Sequence, residues 1–288
     1  MKAPSPEAPI GIFDSGMGGL SVWRAVAQTL PGEPIHYVAD RAHVPYGSRD
    51  PKDILSYCEA ISEHLLQQGC KAIVVACNTA SAVALQALRQ RWPQLPILGL
   101  EPAVKPAVAA TRSGVVGVMA TPATFQGELY RATVGQYGGG VTVVEQVCPG
   151  LADLVERGAW QSKEGVALIR GFLAPMLEAG ADTIVLGCTH YPFVIQTIRQ
   201  LVGPALEVID PAPAVARHLA RVLDGHGLLR PQALTEALAE PVQHRFFSTG
   251  DPLAFERDAL LLLGQRCPCE ARHWRVDEPS GALRLSRT

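Results

Sequence analysis

Long hydrophobic runs are missing from this sequence, and so is an excess of charge of either sign. No stretch approaches the roughly 18 consecutive apolar residues of a membrane span. The start, Met1-Lys2-Ala3-Pro4-Ser5-Pro6-Glu7-Ala8-Pro9, is a polar, proline-rich arm without the apolar stretch of an export signal. These absences predict a cytoplasmic protein with no membrane partner. With 25 Lys and Arg against 27 Asp and Glu, and arginines scattered from Arg24 to Arg287, there is no basic surplus to track a phosphate backbone, which excludes nucleic acid as a partner. Charged residues make up only 18% of the chain and hydrophobic residues 48%, a balance too apolar for disorder. The cysteines, Cys58, Cys70, Cys77, Cys148, Cys188, Cys267 and Cys269, are odd in number and widely spread, which argues for free thiols rather than a disulfide framework.

What is present is a regular alternation. The 288 residues are about twice the ~150-residue size of a common domain, so two lobes are expected. Ile10-Gly11-Ile12-Phe13, Ile35-His36-Tyr37-Val38, Ala72-Ile73-Val74-Val75-Ala76 and Pro96-Ile97-Leu98-Gly99-Leu100 read as strands buried on both faces, hence as a parallel sheet. Between them, Ile54, Cys58, Ile61 and Leu65 mark a helix over 53–68, preceded by Asp50-Pro51 and followed by Gly69. The class is α/β, doubly wound.

The chain also resembles itself. Ile10-Gly11-Ile12-Phe13-Asp14-Ser15 matches Val116-Gly117-Val118-Met119-Ala120-Thr121, and Ile73-Val74-Val75-Ala76-Cys77-Asn78-Thr79 matches Ile184-Val185-Leu186-Gly187-Cys188-Thr189-His190. Two related lobes with mostly parallel sheets are predicted. The first takes 9–100 and 212–270 and the second 101–211, with an arm at 1–8 and a charged tail at 271–288 for which no partner is evident. Residues 225–241 read as a loop or weak helix, and Arg245 to Gly250 as a late strand and turn.

Each copy carries a cysteine just after a buried strand, where open α/β sheets place their ligands. Asp14-Ser15-Gly16-Met17-Gly18-Gly19 lies between a strand and a helix, so its amides can face an anion. Because Asp40 suits the ribose acid of a dinucleotide site only loosely, a carboxylate is the better ligand for that turn. Cys77-Asn78-Thr79 and Cys188-Thr189-His190 stand where a helix dipole favours thiolate. A thiol protease gives no reason for a second, matching cysteine. Zinc on Cys77, Cys188 and His190 is a conceivable but weakly patterned set, and Cys267 and Cys269 with His273 lack a clear fourth ligand. Two thiols facing one cleft suit a different chemistry, in which one removes a proton from carbon and the other delivers a proton to the opposite face. A thiol with a pKa about 8.5 needs a helper near neutrality, and Asp14 and His190 are suitable by type and placement.

These residues resemble the glutamate racemase family of cofactor-independent, cysteine-based racemases. The resemblance runs from about Ile10 to Leu263. It rests on Asp14-Ser15-Gly16 with Gly18-Gly19, Asp40 with Pro45-Tyr46-Gly47, Ala76-Cys77-Asn78-Thr79-Ala80, Ala120-Thr121 with Thr124, Gly187-Cys188-Thr189-His190-Tyr191-Pro192, Asp210-Pro211 and Thr249-Gly250-Asp251. It implies two lobes related by approximate two-fold symmetry, a substrate between them, and supply of D-glutamate for the bacterial wall. Cys77 would act on D-glutamate with Asp14 as helper, and Cys188 on L-glutamate with His190. Glu156 matches a further family acid. Ser15, Pro45, Tyr46, Gly47, Asn78, Thr79, Thr121, Thr124 and Thr189 would line the substrate site. The resemblance implies no cofactor and no metal, and is compatible with a homodimer. Gly127 departs from it, since many relatives carry serine there. An aspartate or hydantoin racemase, or a binding protein without turnover, are the alternatives.

Overall fold

The structure is a computed structural model that describes residues 4–231, 242–277 and 281–287. Its first half runs β1 (Ile10–Asp14), α1 (Leu20–Thr29), β2 (Ile35–Ala39), α2 (Pro51–Gln67), β3 (Ala72–Val75), α3 (Asn78–Arg91), β4 (Ile97–Gly99) and α4 (Val104–Ala110). It continues through β5 (Val115–Ala120), α5 (Pro122–Gln126), α6 (Glu128–Tyr137), β6 (Thr142–Val147), α7 (Leu151–Glu156), α8 (Lys163–Glu178), β7 (Thr183–Gly187), α9 (Ile195–Val202) and β8 (Glu207–Ile209). Then follow α10 (Ala212–Gly225), β9 (Arg245–Ser248), α11 (Pro252–Leu263), β10 (Cys269–Ala271), β11 (His273–Asp277) and β12 (Ala282–Ser286). The weak-helix expectation for 225–241 falls mostly on 232–241, outside the described residues.

Two parallel sheets carry the fold, one in the order β10-β9-β2-β1-β3-β4 and the other β6-β5-β7-β8. The internal repeat is therefore a repeat of topology. Its register agrees as well: Gly11 lies opposite Ile73 and Ile73 opposite Ile97, while Gly117 lies opposite Ile184 and Ile184 opposite Val208. The copies extend into the helices that cover the sheets. A Cβ on Gly11 would meet Leu65 Cδ1 at 3.0 Å, and one on Gly117 would strike Met176, the residue in the same place on the second copy's helix. Glycine is needed at both because helix and strand approach closely there.

Strand alternation sends side chains to two cores. Ile10, Ile12, Val74 and Ala76 join Ile184, Leu186 and Ile169 in one apolar cluster shared by both sheets, whereas Phe13, Val38, Ile73 and Val75 pack under α2 and α3. The α2 helix starts where Asp50 accepts from the Lys52 amide at 2.8 Å, with Pro51 at its first position, and ends before Gly69 at φ +82°.

The tail differs from expectation. From Arg272 onward it has partners: β11 and β12 form an antiparallel hairpin, Leu285 enters the core under α2, and the Trp274 indole donates to Asp40 at 2.9 Å. Apolar Trp274, Leu283 and Leu285 alternate with charged neighbours, a period-2 signal too short to stand out from the sequence. At Gly127, a Cβ would come within 2.8 Å of the Ala82 Cβ, so serine would require α3 and the α5–α6 corner to separate.

Candidate active site

Loops leaving the carboxyl ends of β1, β2, β3, β5, β6 and β7 converge between the two sheets. The meeting is direct. Thr79 and Thr121 hydroxyls bond at 2.9 Å, the Ser21 hydroxyl donates to the Thr189 carbonyl at 3.0 Å, and the Thr189 hydroxyl donates to Asp14 at 3.4 Å.

Cys77 caps α3, its sulfur accepting from the Ala80 amide at 3.4 Å, and its thiol points to the Ser15 hydroxyl at 3.8 Å. Burial and then the charge of Asp14 push the Cys77 thiol up, and the cap bond offsets them only partly. The helix start does not make Cys77 a ready thiolate, contrary to the sequence expectation, because desolvation outweighs one amide. Asp14 is fully buried, and burial raises its own pKa from the ordinary aspartate value. Its Oδ2 accepts from the Gly16 and Gly19 amides at 3.3 and 2.9 Å.

Cys188 leads into a short 3-10 turn, Tyr191–Val194, so its neighbourhood is set by side chains rather than by a helix mouth. Its sulfur lies 3.7 Å from His190 Nδ1, and His190 Nε2 is 2.8 Å from Glu156 Oε1. Burial opposes the imidazolium, but the bonds with Cys188 and Glu156 prevail and hold His190 well above the ordinary histidine value. Burial likewise opposes the Glu156 carboxylate, and the bond and charge of His190, the Met17 amide and Arg41 together lower its pKa.

The glycine turn after β1 serves these groups. Its amides are taken by the protein's own carboxylates, Asp14 and Glu156, the latter through Met17 N at 2.6 Å. The Gly16, Met17 and Gly19 amides of this turn are thus occupied by side-chain carboxylates. Glycines are required by proximity: a Cβ on Gly18 would lie 2.5 Å from His190 Nδ1, and one on Gly16 would overlap Glu156.

Asn78 is 3% exposed, and both its side-chain amide nitrogen and oxygen lack a hydrogen-bond partner among the described residues. Such a pair is costly to bury unless a ligand completes it. Thr79, Thr121 and Thr124 form a hydroxyl chain beside it. Gly47 approaches Thr121 from the side of the first sheet, after Pro45 and Tyr46. The Tyr46 hydroxyl does not face this space: it donates to Asp40 at 2.7 Å.

Asp40 is a structural hub, which the loose ribose-acid match did not indicate. It is fully buried and accepts from Tyr46, Thr249, Trp274 and the His43 ring. Arg41 beside it also escaped sequence reasoning. Its one signal was a cation in a polar loop at a strand end.

The chain matches the family model described as Asp/Glu/Hydantoin racemase over residues 10–219. It is 48% identical to a glutamate racemase of Roseiflexus sp. over 91% of this chain and 93% of that one. With the Pseudomonas aeruginosa glutamate racemase it shares 46% over 89% and 94%. Among solved structures it is similar to the glutamate racemase isoform RacE1 from Bacillus anthracis, with TM-score 0.82 and 33% identity, covering 95% of this chain and 99% of that one.

Proposed function

Because the chain belongs to the Asp/Glu/hydantoin racemase family, we propose that it is a glutamate racemase, interconverting L- and D-glutamate by proton transfer between two thiols. The observation that carries this reading is the placement of Cys77 and Cys188 at matching strand ends of two repeated sheets, where Thr79 bonds Thr121 and Thr189 bonds Asp14 across the junction.

With L-glutamate bound, His190 takes the Cys188 proton, held in line by Glu156. The Cys188 thiolate removes the α-proton, and the Cys77 thiol delivers its proton to the opposite face, giving D-glutamate and a Cys77 thiolate. The reverse direction starts at Cys77, with Asp14 as proton acceptor; a buried carboxyl of raised pKa has the proton affinity for that role. Asn78, Ser15 and the threonines at 79, 121, 124 and 189 supply donors and acceptors for the ammonium and carboxylates. Preorganised donors in a dry site stabilise the developing carbanion without a cofactor as electron sink.

The lobes are taken as 9–100 with 212–270 and 101–211. Action in the cytoplasm as a homodimer, supplying D-glutamate for peptidoglycan, completes the proposal. No helix among the described residues is long and apolar enough to cross a membrane. A polarimetric screen of L- and D-glutamate and L- and D-aspartate, with no added cofactor, tests it. Racemisation of glutamate in both directions is expected, and turnover of aspartate alone would overturn the substrate assignment.

A further inference from the structure

The relay from Cys188 through His190 leaves half of Glu156 unused. Oε1 accepts from the Met17 amide and binds His190, while Oε2 is buried without a hydrogen-bond partner among the described residues. Across the junction between the sheets stands the Arg41 guanidinium, with Nη2 3.8 Å from Oε2. That is an ion-pair distance, but about 1 Å longer than an ideal hydrogen bond. Arg41 Nη1 is also buried and unpartnered among the described residues. Nη2 donates instead to Asp258 on α11 at 2.8 Å. One guanidinium thus stands between two carboxylates, bonded to one and just short of the other.

Building on the racemase reading, we propose that Arg41 is a positioning residue: its engagement with Glu156, in competition with Asp258, sets how strongly Glu156 holds His190 and its proton. A guanidinium is suited to this because its donors diverge in one plane and its charge is permanent. The other titratable groups facing Glu156 are His190 from the end of β7, Asp14 from β1 and the Tyr37 phenol from β2. Of these only Asp14 adds a negative charge, so Arg41 supplies the opposing positive charge that is not itself part of the relay.

The sign follows from charge. A free Glu156 carboxylate stabilises the His190 imidazolium, and a cation drawn to Oε2 withdraws part of that stabilisation. Removing Arg41 should strengthen His190's hold on its proton. Removing the competing charge at Asp258 should release Arg41 toward Glu156 and weaken it.

The experiment is the pH dependence of kcat in both directions for wild type, Arg41→Met, Arg41→Gln, Asp258→Asn and the double variant Arg41→Met/Asp258→Asn. The Cys188–His190 pair must be deprotonated to start from L-glutamate and protonated to finish from D-glutamate. Its apparent pKa therefore appears as the acid limb with L-glutamate and as the basic limb with D-glutamate. Both limbs should move up in pH by about 0.5–1 unit in the Arg41 variants. Both should move down in Asp258→Asn, and the double variant should behave as Arg41→Met. Limbs that stay fixed in every variant, or that move the same way in Arg41→Met and Asp258→Asn, would overturn the proposal. Arg41→Gln guards against a folding defect peculiar to methionine. A wild-type protein without glutamate turnover would refute the racemase reading itself, a result distinct from active variants with unmoved limbs.

Discussion

At the residue scale, the two thiols differ in what surrounds them. Cys77 sits against a carboxyl and a helix start, Cys188 against an imidazole backed by a second carboxylate. Replacing either cysteine by alanine should abolish racemisation while leaving the circular dichroism spectrum intact; near-full turnover in both directions would exclude that cysteine as a base. Glu156→Gln keeps the shape of the side chain but removes the charge that supports the His190 imidazolium. It should lower kcat with L-glutamate by roughly 10- to 1000-fold, given general-base contributions of about 10²–10⁴. An unchanged kcat and isotope effect would leave Glu156 as a packing residue. Both cysteines, Asp14 and His190 were legible because each stands at or just after the carboxyl end of an apolar strand, and reactive side chains there stand out in the sequence. Asp40, Arg41 and Trp274 were not, because Asp40 is tied to Thr249 and Trp274, and Arg41 to Asp258, across more than two hundred residues of chain. No local pattern encodes such pairings.

At the scale of elements, strands and repeats were readable from β-branched runs, and the helix expected at 53–68 is found at Pro51–Gln67. The glycine turn after β1 was recognised as an anion-binding shape, and the protein itself brings two carboxylates to it, one of them at the end of α7 beside the second sheet. Sequence can show that amides are available without showing what arrives. This turn is also where the first sheet touches the proposed catalytic groups of the second. Gly18→Ala would place a methyl 2.5 Å from His190 Nδ1 and 2.7 Å from Thr189 Oγ1. We expect loss of at least tenfold in kcat with L-glutamate, together with destabilisation of about 1–3 kcal/mol from overpacking, measured by denaturant melts. Unaltered kinetics would mean that His190 tolerates displacement. The hairpin of β11 and β12 makes a separate demand. Trp274→Phe deletes a donor to the fully buried Asp40. A bond to a charged group contributes about 1.5–3 kcal/mol. The loop through Tyr46 and Gly47 should loosen, raising KM for both enantiomers more than it lowers kcat; a fall in kcat alone would contradict this.

For the whole molecule, two repeated sheets share one apolar cluster, so the candidate site between them is built on a continuous core. Away from the cleft, burial first and then nearby arginine charge lower the His36 and His64 pKa values to about 4. A histidine depressed when folded stays neutral there while the unfolded chain takes up protons below its ordinary value near 6.5. The stability these two contribute is complete above about pH 6.5 and falls progressively toward pH 4. The melting temperature should drop by several degrees between pH 7 and pH 4.5, and His36→Gln with His64→Gln should flatten that slope. An unchanged slope would place the acid sensitivity elsewhere.

The central claim is that two different thiols handle the two protons, and racemisation in heavy water tests it most directly. Starting from either protiated enantiomer, early turnovers should yield product carrying deuterium at the α-carbon while the remaining substrate stays protiated, because the group that removes hydrogen is not the group that returns it. Product that retains the substrate's own hydrogen, or substrate that exchanges without inversion, would show that a single base serves both faces and would contradict the account.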